Sequence, residues 1–582
     1  MEERKVLLSV KDLVVKFRVR GRILTAIRGI SLDIYENESI AIVGESGSGK
    51  SVFTKTFAGM LDGNGFIDNG SIIFSDDELN DTHVTMHESL RALLRHAEQK
   101  LNENSNLEHG AATWREILDL ESQKKANATL SDEEDQRFAD EIRDLKFRAT
   151  EAYNLKQTLD SSKEKEEIRR LGQEIKTLEE QIKKREKARE EAIKAKKHAA
   201  AADTEFNARY EARMAELKER YAKETARDVS EHVKERNKIL AKEIVLSVGR
   251  YNPAKRKRAA EKLISALIEA MRLGVDLDDD AARSRVFDDI AFRVRYQDET
   301  PDTLHGVAVT NLANIKNPGD WTLIRGRRIA TVFQDPMTSL NPIITIGKQI
   351  TSIIIKHQGC SEVEARIRAI DLMYKVGIPN AEKRFDDYPF QYSGGMRQRI
   401  VIAIALSCQP KILICDEPTT ALDVTIQAQI LQLLKDLQKE LGFTIVFITH
   451  DLGVVANIAD RVAVLYAGQI VELGTVEDVF YDPRHPYTWA LLSSLPQLAE
   501  KNTKLFSITG TPPSLYNKIT GDPFAPRNVY CMKIDTVKEP PMFQISDTHF
   551  AKTWLLDPRS PKVEKPAIIE NIHEKLMATY NL

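Results

Sequence analysis

The stretch SIAIVGESGSGKS, residues 39–51, combines an apolar strand with a glycine-rich turn that is predicted to lead into a helix. From Gly44 onward it matches the spacing G-x-x-x-x-G-K-[ST], which requires this strand-loop-helix context. The glycines let backbone N–H groups turn toward phosphate oxygens at the positive end of a helix dipole. We therefore predict a phosphate-binding loop in which Lys50 reaches the β- and γ-phosphates and Ser51 ligates magnesium. The candidate binding residues are Gly44, Glu45, Ser46, Gly47, Ser48, Gly49, Lys50 and Ser51.

A second strand with chemistry at its end lies far downstream, in KILICDEPTTALD at residues 411–423. Its apolar run ends in Asp416 and Glu417, and two adjacent acids next to a core are costly unless they have partners. A carboxylate at the end of a buried strand beside a phosphate loop suits a magnesium ligand, so we assign that role to Asp416. Glu417 is then positioned to polarise an attacking water.

Length and composition restrict the class of protein. A chain of 582 residues is too long for one core, so two or more domains are expected. A formal net charge of -3 gives no general attraction to nucleic acid. The N-terminus lacks the apolar region of a secretory signal, and no apolar run is long enough to span a bilayer. With scattered cysteines at Cys360, Cys408, Cys415 and Cys531, we expect a cytosolic protein with reduced thiols.

Three more stretches complete a pattern. ATVFQDPMTSLNP contains Gln334, YSGGMRQR contains a Gly-rich turn at Ser393, Gly394 and Gly395, and FITHD ends a strand at His450. In this order the motifs resemble the nucleotide-binding subunits of ABC transporters. The resemblance implies an α/β fold: a RecA-like ATPase domain with a parallel core sheet, an antiparallel β-subdomain and a helical signature subdomain. It also implies a dimer in which two ATP molecules lie between one chain's Walker A loop and the other's signature.

The resemblance also implies a role for each matching residue. Gln334 and His450 match the Q-loop and the switch histidine, so they are expected to sense the γ-phosphate and to act with Glu417 in hydrolysis. Gln334 would also join Ser51 and Asp416 around magnesium. The remaining matches are the signature Ser393, Gly394 and Gly395 (with Met396 where glutamine is commoner), Asp423 in the D-loop, and Phe17 where an aromatic residue stacks on adenine. ATP and Mg²⁺ are thus the predicted cofactors.

The stretches FQDPMTSLNPIITIGKQI, DPRHPYTWALLSSLP and GDPFAPRNVYCMKIDTVKEPP resemble one subfamily, the D-type ATPases of oligopeptide and dipeptide importers. That resemblance implies ATP hydrolysis that powers peptide import at the cytoplasmic face of the membrane. The implied partners are a second ABC ATPase subunit (a related F-type chain or a second copy), two transmembrane permease subunits and, indirectly, an extracellular peptide-binding protein. Nucleic acid is not an expected partner.

The C-terminal tail departs from this subfamily at its cysteines. The family often places four cysteines there to hold an iron-sulfur cluster, whereas Cys531 in this chain is out of register. A [4Fe–4S] cluster is normally held by four thiolates, so we predict that this chain carries none. The residues at the four matching positions are Asp522, Asn528, Asp535 and Thr553.

Residues 79–320 form an insertion that the family does not contain. IRRLGQEIKTLEEQIKKREK, beginning at Ile168, carries an apolar seam at spacings of three and four, which is typical of a coiled coil. An earlier helix is predicted to start with a capping box at Ser131 and Glu134 and to turn at Asp160. The pattern predicts an antiparallel helical hairpin whose second arm continues toward Ile244. The two seams comprise Ile142, Leu145, Ala149 and Ala152, then Ile168, Leu171, Ile175, Leu178 and Ile182.

A further helix is predicted from Asn252-Pro253 to Gly274, and its wide apolar face indicates a small globular root for the hairpin. The predicted domains are therefore a first ATPase part at 1–78, the insertion at 79–320, a second ATPase part at 321–485 and the tail at 486–582. In the family's fold the insertion falls on the rim of the antiparallel subdomain, away from the phosphates.

Two other classes of ABC protein are alternatives. Chromosome-maintenance and repair ATPases also separate their halves with a coiled coil and act on DNA, but their coil follows the Q-loop, whereas this insertion precedes Gln334. Translation-factor-type ABC proteins carry two nucleotide domains in one chain, whereas this sequence contains one Walker A motif. A partner-binding role for the insertion is compatible with transport.

Overall fold

A computed structural model describes residues 4–159, 164–287, 291–316, 318–419, 422–494, 508–516, 519–566 and 569. The chain divides into two compact units. The first unit comprises Met1–Thr82, Asp288–Arg295 and Val307–Leu582, and the second comprises His83–Phe287 and Tyr296–Gly306. The strands are β1 Val6–Val19, β2 Arg22–Tyr35, β3 Ser39–Val43, β4 Gly65–Phe74, β5 Asp81–Thr85, β6 Phe292–Thr300, β7 Thr303–Asn311, β8 Ile329–Val332, β9 Ile412–Asp416, β10 Thr444–Thr449, β11 Arg461–Tyr466, β12 Gln469–Thr475, β13 Phe543–Gln544 and β14 Phe550–Ala551.

Helices occur in both units and alternate with strands in the first. Their bounds are α1 Lys50–Phe57, α2 Asp77–Asn80, α3 Glu88–Asn104, α4 Ala111–Asn127, α5 Asp132–Thr158, α6 Lys165–Ala202, α7 Thr204–Glu224, α8 Glu231–Val248, α9 Pro253–Leu273, α10 Asp280–Val286, α11 Pro336–Ser339, α12 Ile346–Gln358, α13 Glu362–Lys375, α14 Ala381–Arg384, α15 Gly394–Leu406, α16 Val424–Leu441, α17 Leu452–Ile458, α18 Val476–Tyr481 and α19 Pro486–Ser493. Among the described residues, no helix combines the length and the apolar character needed to cross a membrane.

The core of the first unit is a parallel sheet in the order β8-β9-β10-β3-β11, which β12, β14 and β13 extend with antiparallel pairs. Every residue of β3 and β10 is buried, as expected for strands that are covered on both faces. Strand β10 pairs with both β3 and β9, so the carboxyl ends of these three strands lie at one edge. Ligand sites in open α/β sheets form at this edge.

An antiparallel sheet packs within the same unit. Strand β1 pairs with β2 and β4, and the end of β7 pairs with β4 through Asn311 and Thr310. The buried cluster beneath these strands includes Leu8 and Phe74 but also Phe292 and Leu312. The predicted α/β class with parallel and antiparallel sheets is confirmed. The first unit nevertheless contains parts of residues 79–320 that the sequence assigned to the insertion, because Phe292 and Leu312 complete its core.

The second unit contains a pair of long antiparallel helices. Helix α5 packs along α6, and residues early in α5 pair with residues late in α6. Arg189 pairs with Asp135 at 2.8 Å and Lys196 with Glu134 at 3.4 Å. The inward positions Leu171, Leu178 and Ile182 of α6 are buried, together with Ile142 and Ala152 of α5.

The helix boundaries confirm part of the sequence prediction and correct another part. The capping box of Ser131 and Glu134 begins α5, and Asn252 and Gly274 cap α9 as predicted. The predicted turn at Asp160 lies outside the described residues. The second arm does not run unbroken to Ile244: Asp203 caps a new helix by accepting from the N–H of Phe206, and α7 ends at Glu224.

Two features of the second unit were not predicted. The first arm of the hairpin begins earlier than Ser131, because α4 packs against α7 through Trp114, Ile117, Met214 and Leu217. The root is formed where α3, α8 and α9 pack together. Neighbouring helices cover the predicted apolar face of α9, where the buried residues are Leu263, Ile264, Leu267 and Met271.

Candidate nucleotide-binding site

The loop between β3 and α1 has a backbone that depends on glycine. Gly44 has φ +153°, and a β-carbon there would overlap the carbonyl oxygen of Leu465. Gly49 has φ +106°, and a β-carbon there would lie 3.1 Å from the carbonyl oxygen of Ala26. A β-carbon at Gly44 would overlap neighbouring backbone and one at Gly49 would crowd it, so the loop follows this course only with glycine at these positions. A glycine-rich loop that leads into a helix N-terminus is suited to bind phosphate.

Lys50 lies inside this loop as a buried cation. Its ammonium donates to the carbonyl oxygens of Gly44 at 2.7 Å and Glu45 at 3.0 Å. Burial lowers the pKa of Lys50 below its usual range, and the carboxylates of Glu417 and Asp416 act in the opposite direction. A buried ammonium with two backbone partners is well placed to meet phosphate oxygens.

Ser51 and Asp416 meet beside the loop, although they belong to different strand-loop elements. The Ser51 hydroxyl donates to Asp416 Oδ1 at 3.2 Å. Burial raises the pKa of the Asp416 carboxyl, while the hydrogen bond from Ser51 opposes this shift. Oxygen ligands of this kind suit Mg²⁺. The buried Ser48 hydroxyl has no hydrogen-bond partner among the described residues, so the loop also offers a polar group to a phosphate.

The Glu417 carboxylate contacts side chains from two other elements. The Gln334 amide donates to Glu417 Oε2 at 3.0 Å, and His450 Nδ1 lies 3.2 Å from Glu417 Oε1. The Glu417 backbone has φ +46°, and its N–H donates to the carbonyl oxygen of Ile448 at 3.0 Å. Positive φ at a non-glycine residue is uncommon and clusters at functional sites.

The other predicted site residues lie elsewhere in the first unit. The ring of Phe17 is half-buried against the sheet core and faces Gly65, where a β-carbon would lie 2.7 Å from it. Ser393, which precedes Gly394 and Gly395, caps α15. Asp423 caps α16 by accepting from the N–H of Ile426 at 3.0 Å. In the described part of the chain, none of these residues forms a hydrogen bond to the phosphate loop, and their binding roles remain predictions.

Two residues near the loop were not identified from the sequence. Arg527 forms a bidentate ion pair with Glu45, at 2.7 and 3.0 Å, and the N–H of Glu45 donates to the Tyr487 hydroxyl at 2.8 Å. Both residues stand in the stretches that indicated the importer subfamily, PFAPR and HPYTW. Nothing in the spacing of those stretches indicated a contact with residue 45.

Family comparisons agree with this geometry. Residues 27–159 and 299–420 match the family model described as ABC transporter. Residues 471–534 match the model described as oligopeptide/dipeptide transporter, C-terminal region. The first match covers the phosphate loop, Gln334 and Glu417, and the second covers Tyr487 and Arg527.

Similar curated proteins include oligopeptide transport ATP-binding proteins. The chain is 67% identical over 266 residues to the oligopeptide transport ATP-binding protein AmiE of Streptococcus pneumoniae, which covers 46% of this chain and 75% of that protein. It is 60% identical over 258 residues to the oligopeptide transport ATP-binding protein OppD of Bacillus subtilis, covering 44% and 72%. These matches do not support the DNA-acting alternative.

Among solved structures, a dimeric bacterial ABC transporter cassette matches with a TM-score of 0.36 and 15% sequence identity. The match covers 81% of this chain and 98% of the cassette.

Proposed function

The chain belongs to the family of ABC transporter ATP-binding subunits, and from this premise we propose that it hydrolyses ATP to power the import of oligopeptides or dipeptides. The observation that carries the proposal is the pairing of Glu417 with both Gln334 and His450, next to the contact between Ser51 and Asp416. This arrangement joins a carboxylate base, a cation site and a phosphate loop at one edge of a parallel sheet.

We assign ATP to the loop from Gly44 to Ser51, with Lys50 on the β- and γ-phosphates. Ser51, Asp416 and Gln334 would hold Mg²⁺, which supplies positive charge to the phosphate oxygens when it is bound. The buried hydroxyl of Ser48 and the glycine-dependent course of the loop support this assignment.

Glu417 would orient the water that attacks the γ-phosphate, and Gln334 and His450 would report whether that phosphate is present. Phe17 would stack on adenine. We propose that Ser393, Gly394, Gly395 and Asp423 act across a dimer, on nucleotide held by a second ATPase subunit. Within the described residues, Ser393 and Asp423 hydrogen-bond to their own helices and not to this chain's phosphate loop, which supports that assignment.

The C-terminal match at residues 471–534 and the peptide-transport relatives support the choice of substrate. The proposed partners are a second ABC ATPase subunit (a related F-type chain or a second copy), two transmembrane permease subunits and, indirectly, an extracellular peptide-binding protein. The proposed location is the cytoplasmic face of the membrane.

For the insertion we propose a coiled-coil hairpin on a small helical root that is added to an intact ATPase. Cross-pairing of α5 with α6 through Arg189–Asp135 and Lys196–Glu134 supports this proposal. Long insertions in surface loops are tolerated because the entropy of loop closure grows only logarithmically with length.

The proposal can be tested in cells that depend on peptide uptake, with the chromosomal copy replaced by wild type or by Lys50→Ala. We expect wild type to co-purify with two membrane subunits and to support uptake, and Lys50→Ala to co-purify without supporting it. A wild-type protein that binds no ATP, or that purifies with DNA rather than membrane subunits, would overturn the proposal.

A further inference from the structure

Glu45, the first residue after Gly44 in the phosphate loop, is fixed at three separate points. Its N–H donates to the hydroxyl of Tyr487 at 2.8 Å, and its carboxylate receives both Nη atoms of Arg527. Its carbonyl oxygen accepts from the ammonium of Lys50 at 3.0 Å. The residue is therefore a link between the C-terminal tail and the loop's lysine.

The environment of Arg527 keeps its guanidinium in one orientation. Its side chain is only 4% exposed, its Nε donates to the carbonyl oxygen of Thr509 at 3.1 Å, and Nη1 also contacts the hydroxyl of Tyr466 at 3.2 Å. The ion pair with Glu45 raises the pKa of Arg527 above its already high value, so the charge is permanent. Bidentate arginine–carboxylate pairs fix direction as well as distance.

Tyr487 is held just as firmly. It is fully buried, its ring lies 4.5 Å from that of Tyr466 between centroids, and Phe524 packs edge-on against both at 5.3 and 5.4 Å. Phe524 precedes Arg527 by one short turn of the tail. The aromatic cluster of Tyr466, Tyr487 and Phe524 thus holds both groups that contact Glu45.

We propose that Arg527 and Tyr487 are positioning residues for nucleotide binding, which rests on the proposed function of the loop. By holding Glu45, they fix the carbonyl that orients Lys50 and keep the loop in its phosphate-binding shape before the ligand arrives. Preorganisation of this kind strengthens binding because less ordering is left to occur on association. The tail thus sets affinity for ATP from outside the phosphate loop.

The test uses the full-length protein with Tyr487→Phe, which removes one hydroxyl, and Arg527→Lys, which keeps the charge but cannot form the bidentate pair. Equilibrium binding of Mg-ATP and steady-state hydrolysis are measured beside the melting temperature. Each variant is expected to raise Kd and KM by about threefold or more, as for loss of one hydrogen bond, with kcat within about twofold.

A matched control is Arg461→Lys, which alters a second buried arginine–glutamate pair, Arg461 with Glu38, that does not touch the loop. It is expected to lower the melting temperature at least as much as Arg527→Lys while leaving Kd unchanged. In the double variant, Arg527→Lys should raise Kd little beyond the increase caused by Glu45→Gln alone, because the two residues act through one contact.

Unchanged Kd in both Tyr487→Phe and Arg527→Lys, with folded protein, would overturn the inference. So would a Kd increase in Arg461→Lys equal to theirs, since that would show a general effect of stability. If wild type itself bound no ATP, the proposed function would fail instead. If Arg527→Lys proves insoluble, Tyr487→Phe alone decides the matter.

Discussion

The side-chain amide of Gln334 donates to Glu417 at 3.0 Å although the two residues are 83 positions apart in the chain. The contact joins the second residue after β8 to the first residue after β9, two strands that run parallel and side by side. Because His450 approaches the other oxygen of the same carboxylate, both proposed γ-phosphate sensors are bonded to the proposed base. If these proposed roles hold, we expect a change at the γ-phosphate to reach Glu417 through either neighbour.

The first prediction concerns hydrolysis. Glu417→Gln keeps the size of the side chain but loses the carboxylate that would polarise water, so turnover should fall at least about a hundredfold. Binding of Mg-ATP should persist, because the proposed phosphate contacts come from Gly44 to Ser51. Single-turnover hydrolysis and equilibrium binding on the same preparation measure the two effects.

Lys50→Ala is the matched comparison, because it removes a proposed phosphate contact and should weaken binding itself. Hydrolysis at the parental rate by Glu417→Gln would mean that the role assigned to this carboxylate is wrong.

Much of this site could be predicted from local sequence. The apolar strand before Gly44 and the apolar strand before Asp416 each fix where their polar residues emerge, since carboxyl ends of parallel strands share an edge. The positive φ of Glu417 could not be predicted, because glutamate has no preference for that conformation. Arg527 and Glu45 are 482 residues apart, and no periodic pattern encodes such a contact.

The domain boundaries illustrate another limit. Periodicity located α5, α6 and α9, whose amphipathic faces are visible over several turns. It did not locate the return to the ATPase unit, because the alternation in FRVRY at Phe292 predicts a strand but not the core that it joins, and Leu312 lies in a three-residue turn with no period of its own. Their membership in that core depends on tertiary packing alone.

The second prediction concerns metal in the tail. Asp522, Asn528 and Asp535 are buried, and each uses a side-chain oxygen to accept a nearby backbone N–H, from Phe524, Tyr530 and Met532. Side chains committed to such turns are poor substitutes for four thiolates. Anaerobically purified protein should therefore lack stoichiometric iron and the broad visible absorption of a cluster. About four irons per chain, the content of a [4Fe–4S] cluster, would refute this prediction.

The third prediction concerns pH. Burial, with the nearby charge of Asp535 in the same direction, raises the pKa of Asp522 from 3.8 to about 6. A folded-state pKa above the unfolded value means that the carboxyl favours folding when protonated and opposes it when ionised above about pH 6. Asp522→Asn keeps the oxygen that accepts from Phe524, so it should raise the free energy of unfolding at pH 7.5 by about 1–2 kcal/mol.

That gain should shrink as the pH falls from about 6 toward 4, because wild-type Asp522 becomes protonated in the folded state. Urea unfolding of both proteins at pH 7.5 and pH 5 measures the difference. Asp557→Asn is the control, because the hydrogen bonds from Arg559 lower the pKa of this tail carboxyl instead of raising it, and it should show no gain at pH 7.5. An equal effect of Asp522→Asn at the two pH values would contradict the prediction.

The last prediction concerns removal of the larger segment of the second unit, His83–Phe287. Joining Thr82 to Ala291 through a short Gly-Ser linker deletes 83–290 but keeps β6, β7 and the buried residues Phe292 and Leu312. The two ends are close: Asn80 lies 3.3 Å from the Thr310 hydroxyl, and the next residue, Asn311, donates its N–H to the carbonyl of Ala291. The shortened protein should fold, bind ATP and retain basal hydrolysis within about tenfold, or roughly 1.4 kcal/mol of barrier.

A larger deletion that joins Asp77 to Trp321 provides the contrast. It also removes Phe292, Leu312 and Ile315 from the first unit's core, and each lost large side chain costs about 2–5 kcal/mol. This protein should be insoluble or melt far below the other, as thermal unfolding will show. If instead the shorter deletion folds but cannot bind ATP, the insertion is part of the site. If both deletions are equally stable, Phe292 and Leu312 do not belong to the ATPase core.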